Sequence, residues 1–272
     1  MSTQSGDTPM TPRPAATVML LTDTPDGVAV FMMQRHSQMD FAPGTTVFPG
    51  GGVDDRDRNA DIAWTGPAPA WWAQRMGVDD ELALALVCAA VRETFEECGV
   101  LLAGPDEGTV VTDAKAYHGV REQLASGELA FGDFLRRESL VLRADLLRPW
   151  ANWVTPARGH TRRYDTYFFV AALPEGQYAD DRSSEAASAG WSLPTAAVED
   201  FAAGRTVLLP PTWTQLDTLP KLGNTVGDIL GIEREIVAMR TEVIGSEGNW
   251  SLEFFDSERY NKLLGRRKWS AK

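Results

Sequence analysis

The amino-acid sequence predicts an α+β fold in one main domain. Three features carry this reading: two β-type apolar runs between residues 15 and 35, a long helical segment at 79–98, and a second β-rich part beyond residue 150. Strands and helices alternate without a regular βαβ rhythm, which argues against a doubly wound parallel sheet.

Residues 1–14, MSTQSGDTPMTPRP, are polar and proline-containing and read as a disordered tail, so the folded domain is expected over 15–272. AATVMLL (15–21) and GVAVFMMQR (27–35) flank the turn-rich TDTPDG and read as a hairpin. FAPGTTVFPGGG (41–52) follows as strand and loop, with glycines and prolines that turn the backbone tightly. Residues 53–79 read as an irregular insertion, acidic at first and then rich in Pro, Gly and Trp. Trp64, Trp71 and Trp72 are expected to pack a core edge rather than stack on a base.

DDELALALVCAAVRETFEECG is the clearest helix. Asp79 or Asp80 can cap its start, Gly99 can end it in the left-handed conformation, and Leu84, Val87, Val91 and Phe95 form an apolar stripe. Two short helices are expected within 113–139. Strands follow at 151–156, 162–173 and 184–193, then a helix with Pro194 in its first turn. From about residue 211 the chain reads as a mostly helical extension, with a strand or hairpin in GNWSLEFFDSERY.

At 43% hydrophobic residues the chain can bury a sizeable core. Acidic residues outnumber basic ones 38 to 26, a net charge of −12, which argues against nucleic-acid or anionic-membrane partners. A polyanionic small molecule must therefore meet a local basic patch or a metal ion. No apolar run reaches 18 residues, and the start lacks the apolar segment of a signal peptide, so the expected location is cytoplasmic. Cys88 and Cys98 lie ten apart on one helix, roughly 15 Å of rise, too far for a disulfide. His36, His118 and His160 share no zinc-like spacing with each other or with the cysteines.

Charge is oddly placed in VRETFEECGV (91–100). At 100° per residue Glu93, Glu96 and Glu97 fall in one arc opposite Val91 and Phe95, where they repel each other. They also occupy the last turns of the helix, where the macrodipole disfavours anions. A divalent cation would compensate both costs, and hard carboxylate oxygens suit Mg²⁺ or Mn²⁺. A solvated glutamate-rich face is the alternative from these ten residues alone.

Taken with FPGGGVDD upstream, the stretch resembles the signature of the Nudix hydrolases, a glycine followed later by R-E-apolar-x-E-E-x-G-apolar. Arg92, Glu93, Glu96, Glu97, Gly99 and Val100 match position by position, and Thr94 stands where an aliphatic residue is usual. Gly51 and Arg92 are 41 positions apart, so the box carries an insertion over 53–79. Asp57 is a weak counterpart for the mid-box glutamate. Such an interrupted box resembles the peroxisomal coenzyme A diphosphatase-like branch, and the likeness continues in NWVTP, RRYDTYFF and LLPPT. The usual coenzyme A signature of the superfamily is partly present: Arg35 and Gly44 are kept, with Asp40 where a second arginine would stand.

The resemblance implies a Nudix fold, a mixed β-sheet sandwiched between helices, and hydrolysis of a diphosphate linkage in a small molecule. It implies that Glu93, Glu96 and Glu97 hold Mg²⁺ or Mn²⁺, with a carbonyl near Gly50 or Gly51 as a further ligand and Arg92 orienting a carboxylate. A later loop supplies a base or extra ligand in some members, and Glu185 is the candidate. Arg158, Arg162 and Arg163, with His160, form the densest basic cluster and could grip a substrate phosphate, with Arg35 beside them. Coenzyme A or an acyl-coenzyme A is the expected substrate. Nucleotide sugars, dinucleotides or dinucleoside polyphosphates remain open, as does a non-catalytic binding module. The resemblance also allows a homodimer, with the insertion and the segment after Pro211 as candidate interfaces.

Overall fold

The N-terminal hairpin, β1 (Arg13–Thr24) and β2 (Gly27–Arg35), lies in the middle of an eight-stranded mixed sheet. This is a computed structural model, and it describes residues 10–39, 41–58, 61–158, 162–183, 186–246 and 249–264. After the hairpin come β3 (Thr46–Val47), β4 (Gly50–Gly52), α1 (Asp55–Arg58), β5 (Trp64–Thr65), α2 (Pro69–Met76) and α3 (Asp80–Cys98). The chain continues through β6 (Ala103–Gly104), α4 (His118–Ala125), α5 (Phe131–Arg137), β7 (Val141–Arg143), β8 (Leu147–Val154), β9 (Tyr164–Ala172) and β10 (Ala186–Ser192). It closes with α6 (Pro194–Ala202), α7 (Pro210–Thr218), α8 (Val226–Leu230), β11 (Ala238–Arg240), β12 (Glu242–Ser246), β13 (Asn249–Glu253) and α9 (Ser257–Leu264).

The sheet runs β10-β2-β1-β9-β8-β11, with β3 on β2 and β4 on β1. β1 pairs in parallel with β9 from Arg13↔Tyr164 to Leu21↔Ala172, and antiparallel with β2 at its far end, Leu21↔Val30 to Thr24↔Gly27. Nearer its start, β1 takes β4 instead. The period of two divides the strand side chains between two helical layers. Val18, Leu20, Phe31, Met33 and Phe169 pack with α2 and α3; Met19, Leu21, Val30, Met32, Phe168 and Val170 pack with α6, α7, α8 and α9. Because both faces are covered, β1 is apolar without alternation, as its sequence shows.

Several expectations change. The first strand begins at Arg13, two residues inside the stretch read as a tail. The 53–79 insertion is not irregular: it holds α1, β5 and α2, and β5 joins β7 and β6 in a small separate sheet. Trp72 is fully buried, 5.9 Å from the Phe169 ring, so this tryptophan anchors the insertion to the core as expected. Helix α3 is not buried along a single stripe. Every residue from Ala85 to Val91 is buried, because α2, the sheet and the 100–103 segment enclose it, whereas Leu84 is half-exposed. A helix apolar all round is a central one. The extension after 211 is less helical than expected, since β11 extends the main sheet, while the hairpin expected near its end forms from β12 and β13. No helix among the described residues is long and apolar enough to cross a membrane.

Candidate active site

The floor of the site is the glycine strand β4 laid on the start of β1, with Ala15↔Gly52, Ala16↔Gly51 and Thr17↔Gly50 opposed. Val18 donates to the Pro49 carbonyl at 2.8 Å and Val53 to the Pro14 carbonyl at 3.0 Å. Since bonded and non-bonded pairs alternate in an antiparallel ladder, Ala16/Gly51 is a bonded pair and Thr17/Gly50 is not. The Gly51 carbonyl is thus committed to the sheet, while the polar groups of Gly50 point away from β1. The Gly50 amide donates to Glu97 Oε2 at 2.6 Å.

Glycine is required here for two different reasons. A Cβ at Gly50 would lie 2.6 Å from Thr17 Cα, a backbone clash, whereas one at Gly51 would lie 2.6 Å from Cδ of Glu93. Gly50→Ala is therefore expected to cost stability, on the order of 1–3 kcal/mol. Gly51→Ala should displace a flexible carboxylate instead, leaving the thermal midpoint nearly unchanged while activity falls. Thermal melts beside turnover assays check this contrast; equal stability losses in the two variants would refute it.

Helix α3 carries the carboxylates. Asp79 caps its start by accepting from the Leu82 amide at 2.7 Å, and Gly99 ends it at φ +76°. Thr94 sits in the box position usually aliphatic, and is fully buried because its hydroxyl donates back to the Ala90 carbonyl at 2.7 Å. Glu93, Glu96 and Glu97 do not face open solvent, as their place opposite Val91 and Phe95 suggested. Glu97 is only 5% exposed, and the side chains of Glu93 and Glu96 each retain 12%.

Arg92 ties the cluster together. Its Nη1 donates to Glu93 Oε1 at 2.8 Å and to Glu96 Oε1 at 3.2 Å, and its Nη2 donates to the Gly52 carbonyl at 2.9 Å. Nε and Nη2 fork onto Asp57 at 3.1 and 3.0 Å. Burial opposes the guanidinium charge, but Glu93, Asp57 and Glu96 outweigh it and raise the pKa above the ordinary arginine value. Asp57, 2% exposed, also accepts from the Asp54 amide, and Arg56 holds the Asp54 carboxyl at about 2 by a side-chain hydrogen bond. Asp57 was the weak reading in the sequence. Its six-residue distance from Gly51 was the available signal, and α1 is what turns it toward Arg92.

Cys88 lies beneath this network, its Sγ 3.6 Å from Asp57. Burial first, and the Asp57 charge second, push the Cys88 thiol well up, while burial pushes Cys98 up to about 12. A thiol with a raised pKa stays neutral until the pH exceeds that value, so neither is nucleophilic at pH 8. Ellman's reagent is expected to find no reactive thiol in the native protein and both in guanidinium chloride; rapid native reaction would contradict this burial.

The C-terminal end of α3 is clasped by a buried cation. Arg121, from α4, donates to the Glu96 carbonyl at 2.8 Å and to Asp180 Oδ1 at 2.6 Å. The Asp180 amide in turn donates to the Cys98 carbonyl at 2.9 Å. A cation at this terminus offsets part of the helix-dipole cost of the three glutamates. Neither Arg121 nor this role for Asp180 stood out in the sequence, because the contacts join positions 25 and 59 apart.

The predicted basic residues divide into two groups. Arg35 ends β2, with its amide on the Thr45 carbonyl and with Ala186 of β10 opposite; among the described residues its Nε is buried without a hydrogen-bond partner. Arg158, Arg162 and Arg163 lie across β1 from it, at the β8–β9 end. Arg35 is thus not beside them. Glu185, His160 and Asp40 lie outside the described residues.

Three carboxylates and the Gly50 carbonyl are a hard-oxygen donor set, and Arg92 Nη1 bridges two of the carboxylates, which keeps them close together. Among the described residues the carboxylates are not gathered as a three-ligand cage; Arg92 and the Gly50 amide hold them instead. In chemical type the donors suit a hard divalent cation.

Residues 68–219 match the family model described as the NUDT19 Nudix domain. The chain is similar to the acyl-coenzyme A diphosphatase NUDT19 of Homo sapiens, 32% identical over 71% of this chain and 61% of that protein. It is likewise similar to the putative nudix hydrolase 7 of Caenorhabditis elegans, 29% identical over 77% of this chain and 61% of that one. It spans about three fifths of the length of these curated relatives. Among solved structures, a NUDIX hydrolase from Alicyclobacillus acidocaldarius superimposes with a TM-score of 0.69 at 25% identity, covering 83% of this chain and 98% of that one.

Proposed function

Because this chain belongs to the Nudix family, in its NUDT19-like branch, we propose that it is a Mg²⁺- or Mn²⁺-dependent diphosphatase. Its proposed substrate is coenzyme A or an acyl-coenzyme A, cleaved to 3′,5′-ADP and a 4′-phosphopantetheine product. The observation that carries this reading is the placement of Glu93 and Glu97 against the Gly50–Gly51 strand, with Glu96 joined to Glu93 through Arg92. The name borne by the human relative supports the substrate.

In this reading Glu93, Glu96 and Glu97, with the Gly50 carbonyl, hold the cation. When bound, it supplies charge neutralisation at the diphosphate and a water acidic enough to attack phosphorus. Arg92 keeps Glu93 and Glu96 oriented, and the Gly50 amide holds Glu97, so none of the three must be ordered at the moment of binding. Glu185 is proposed as the base that takes the proton from the attacking water, a role worth ~10²- to 10⁴-fold. Arg35 and the Arg158, Arg162 and Arg163 group are proposed to bind the substrate's phosphates from either side of β1.

A panel of diphosphates tests the substrate. Purified protein with Mg²⁺ should release 3′,5′-ADP from coenzyme A or acyl-coenzyme A, identified by mass. Cleavage confined to nucleotide sugars, dinucleotides or dinucleoside polyphosphates would replace this substrate with those.

A further inference from the structure

The connection between β9 and β10 is tied at two places to the segment that closes α3. Gln177, 4% exposed, accepts from the Leu101 amide at 2.8 Å and donates to the Leu101 and Val111 carbonyls at 2.9 and 2.7 Å. Further along, the connection meets the Arg121 clasp. Besides the guanidinium, Asp180 Oδ1 accepts from the Arg182 amide at 3.1 Å, which turns the chain tightly at this point. The connection then re-enters the sheet with Ala186 opposite Arg35.

The clasp is seated on the glycine that ends the helix. Gly99 is favoured by its φ of +76°, and a Cβ there would also crowd the ion pair, 3.0 Å from Arg121 Nη1 and 3.2 Å from Asp180 Oδ2. Arg121 holds the Glu96 carbonyl, and the Asp180 amide holds that of Cys98. These residues flank Glu97. One guanidinium therefore fixes both the turn that bears two of the proposed cation ligands and the connection that leads to Arg35.

Stability alone does not account for this choice of residue. Arg121 is 5% exposed, and among the described residues its Nη2 is buried without a hydrogen-bond partner. A donor left over in an enclosed place costs free energy that an apolar pair of similar volume would avoid. What a planar guanidinium supplies is two bonds of fixed mutual direction, here to a helix carbonyl and to a carboxylate of another segment.

We infer that Arg121 is a positioning residue: acting through Asp180, it sets the β9–β10 connection against the Glu96–Glu97 turn, so that the cation ligands and the Arg35 end of the connection meet the substrate in fixed register. This rests on the proposed diphosphatase reading. Arg121 is given no contact with cation or substrate.

The double variant Arg121→Met/Asp180→Asn removes the tie and strands no charge. With coenzyme A and Mg²⁺ its kcat should fall about 100-fold, the loss that a misplacement on the order of 1 Å brings, while KM stays within about threefold of wild type. Arg121→Lys keeps the charge beside Asp180 but not both directed bonds, and should lie between, about tenfold below wild type. Full kcat in either variant would overturn the positioning role. Hydrogen exchange read by mass spectrometry tests the tie without turnover: Mn²⁺ should slow exchange of the amides of residues 177–182 in wild type and not in the double variant. Absence of that protection in wild type, or its survival in the double variant, would overturn the inference. Wild-type protein that shows the protection but cleaves no diphosphate keeps the tie and removes the reaction.

Discussion

Arg92→Met is expected to lower stability by about 3–5 kcal/mol, because it leaves a buried carboxylate without its partner. Asp57 is 2% exposed and accepts a two-pronged bond from Arg92, so the methionine variant strands a charge that water cannot reach. The loss also removes the restraint between Glu93 and Glu96 and the link to the Gly52 carbonyl. In a chain of this size the thermal midpoint should fall on the order of 10 °C. Lysine should not rescue it, since an ammonium cannot reach Asp57, both glutamates and a carbonyl in one plane. The double variant Arg92→Met/Asp57→Asn should recover part of the loss, because the stranded charge is then absent. Additive losses in that cycle would mean that the fork is not the source of the effect.

Glu97→Gln should act on activity alone. Its side chain accepts from the Gly50 amide, and the glutamine carbonyl can keep that bond while the negative charge disappears. The fold should survive, with a thermal midpoint equal to wild type or slightly higher as repulsion among three carboxylates is relieved. Turnover should fall about 100-fold or more, since even partners of metal ligands cost 10- to 100-fold when replaced. Glu96→Gln, with its carboxylate on Arg92, should show the same pattern. Full activity in both variants would remove the metal assignment.

The fold and the heart of the site were legible to different degrees. Local signals identified α3, its caps at Asp79 and Gly99, the hairpin and the clustering of Glu93, Glu96 and Glu97, because each rests on spacing within one element. The depth at which those glutamates lie was not legible. A helical wheel gives a direction, and only the docking of β4 decides whether water or a glycine strand stands there. Asp57 needed the folded insertion, whose α1 and α2 are too short to show a clear period. Arg121 acts through the packing of α4 on α3, a long-range contact that no local window contains. Grouping Arg35 with Arg158, Arg162 and Arg163 failed for the same reason, since β1 runs between them.

The three carboxylates crowded at the wrong end of a helix are proposed to bind a divalent cation, and a Mn²⁺ titration followed by electron paramagnetic resonance of the free ion measures that affinity without any substrate. Wild-type protein should remove Mn²⁺ from solution in a saturable way, Mg²⁺ should compete, and Glu97→Gln should weaken binding at least about tenfold. Wild-type protein that leaves the Mn²⁺ signal unchanged, or a Glu97→Gln variant that binds as tightly as wild type, would contradict it.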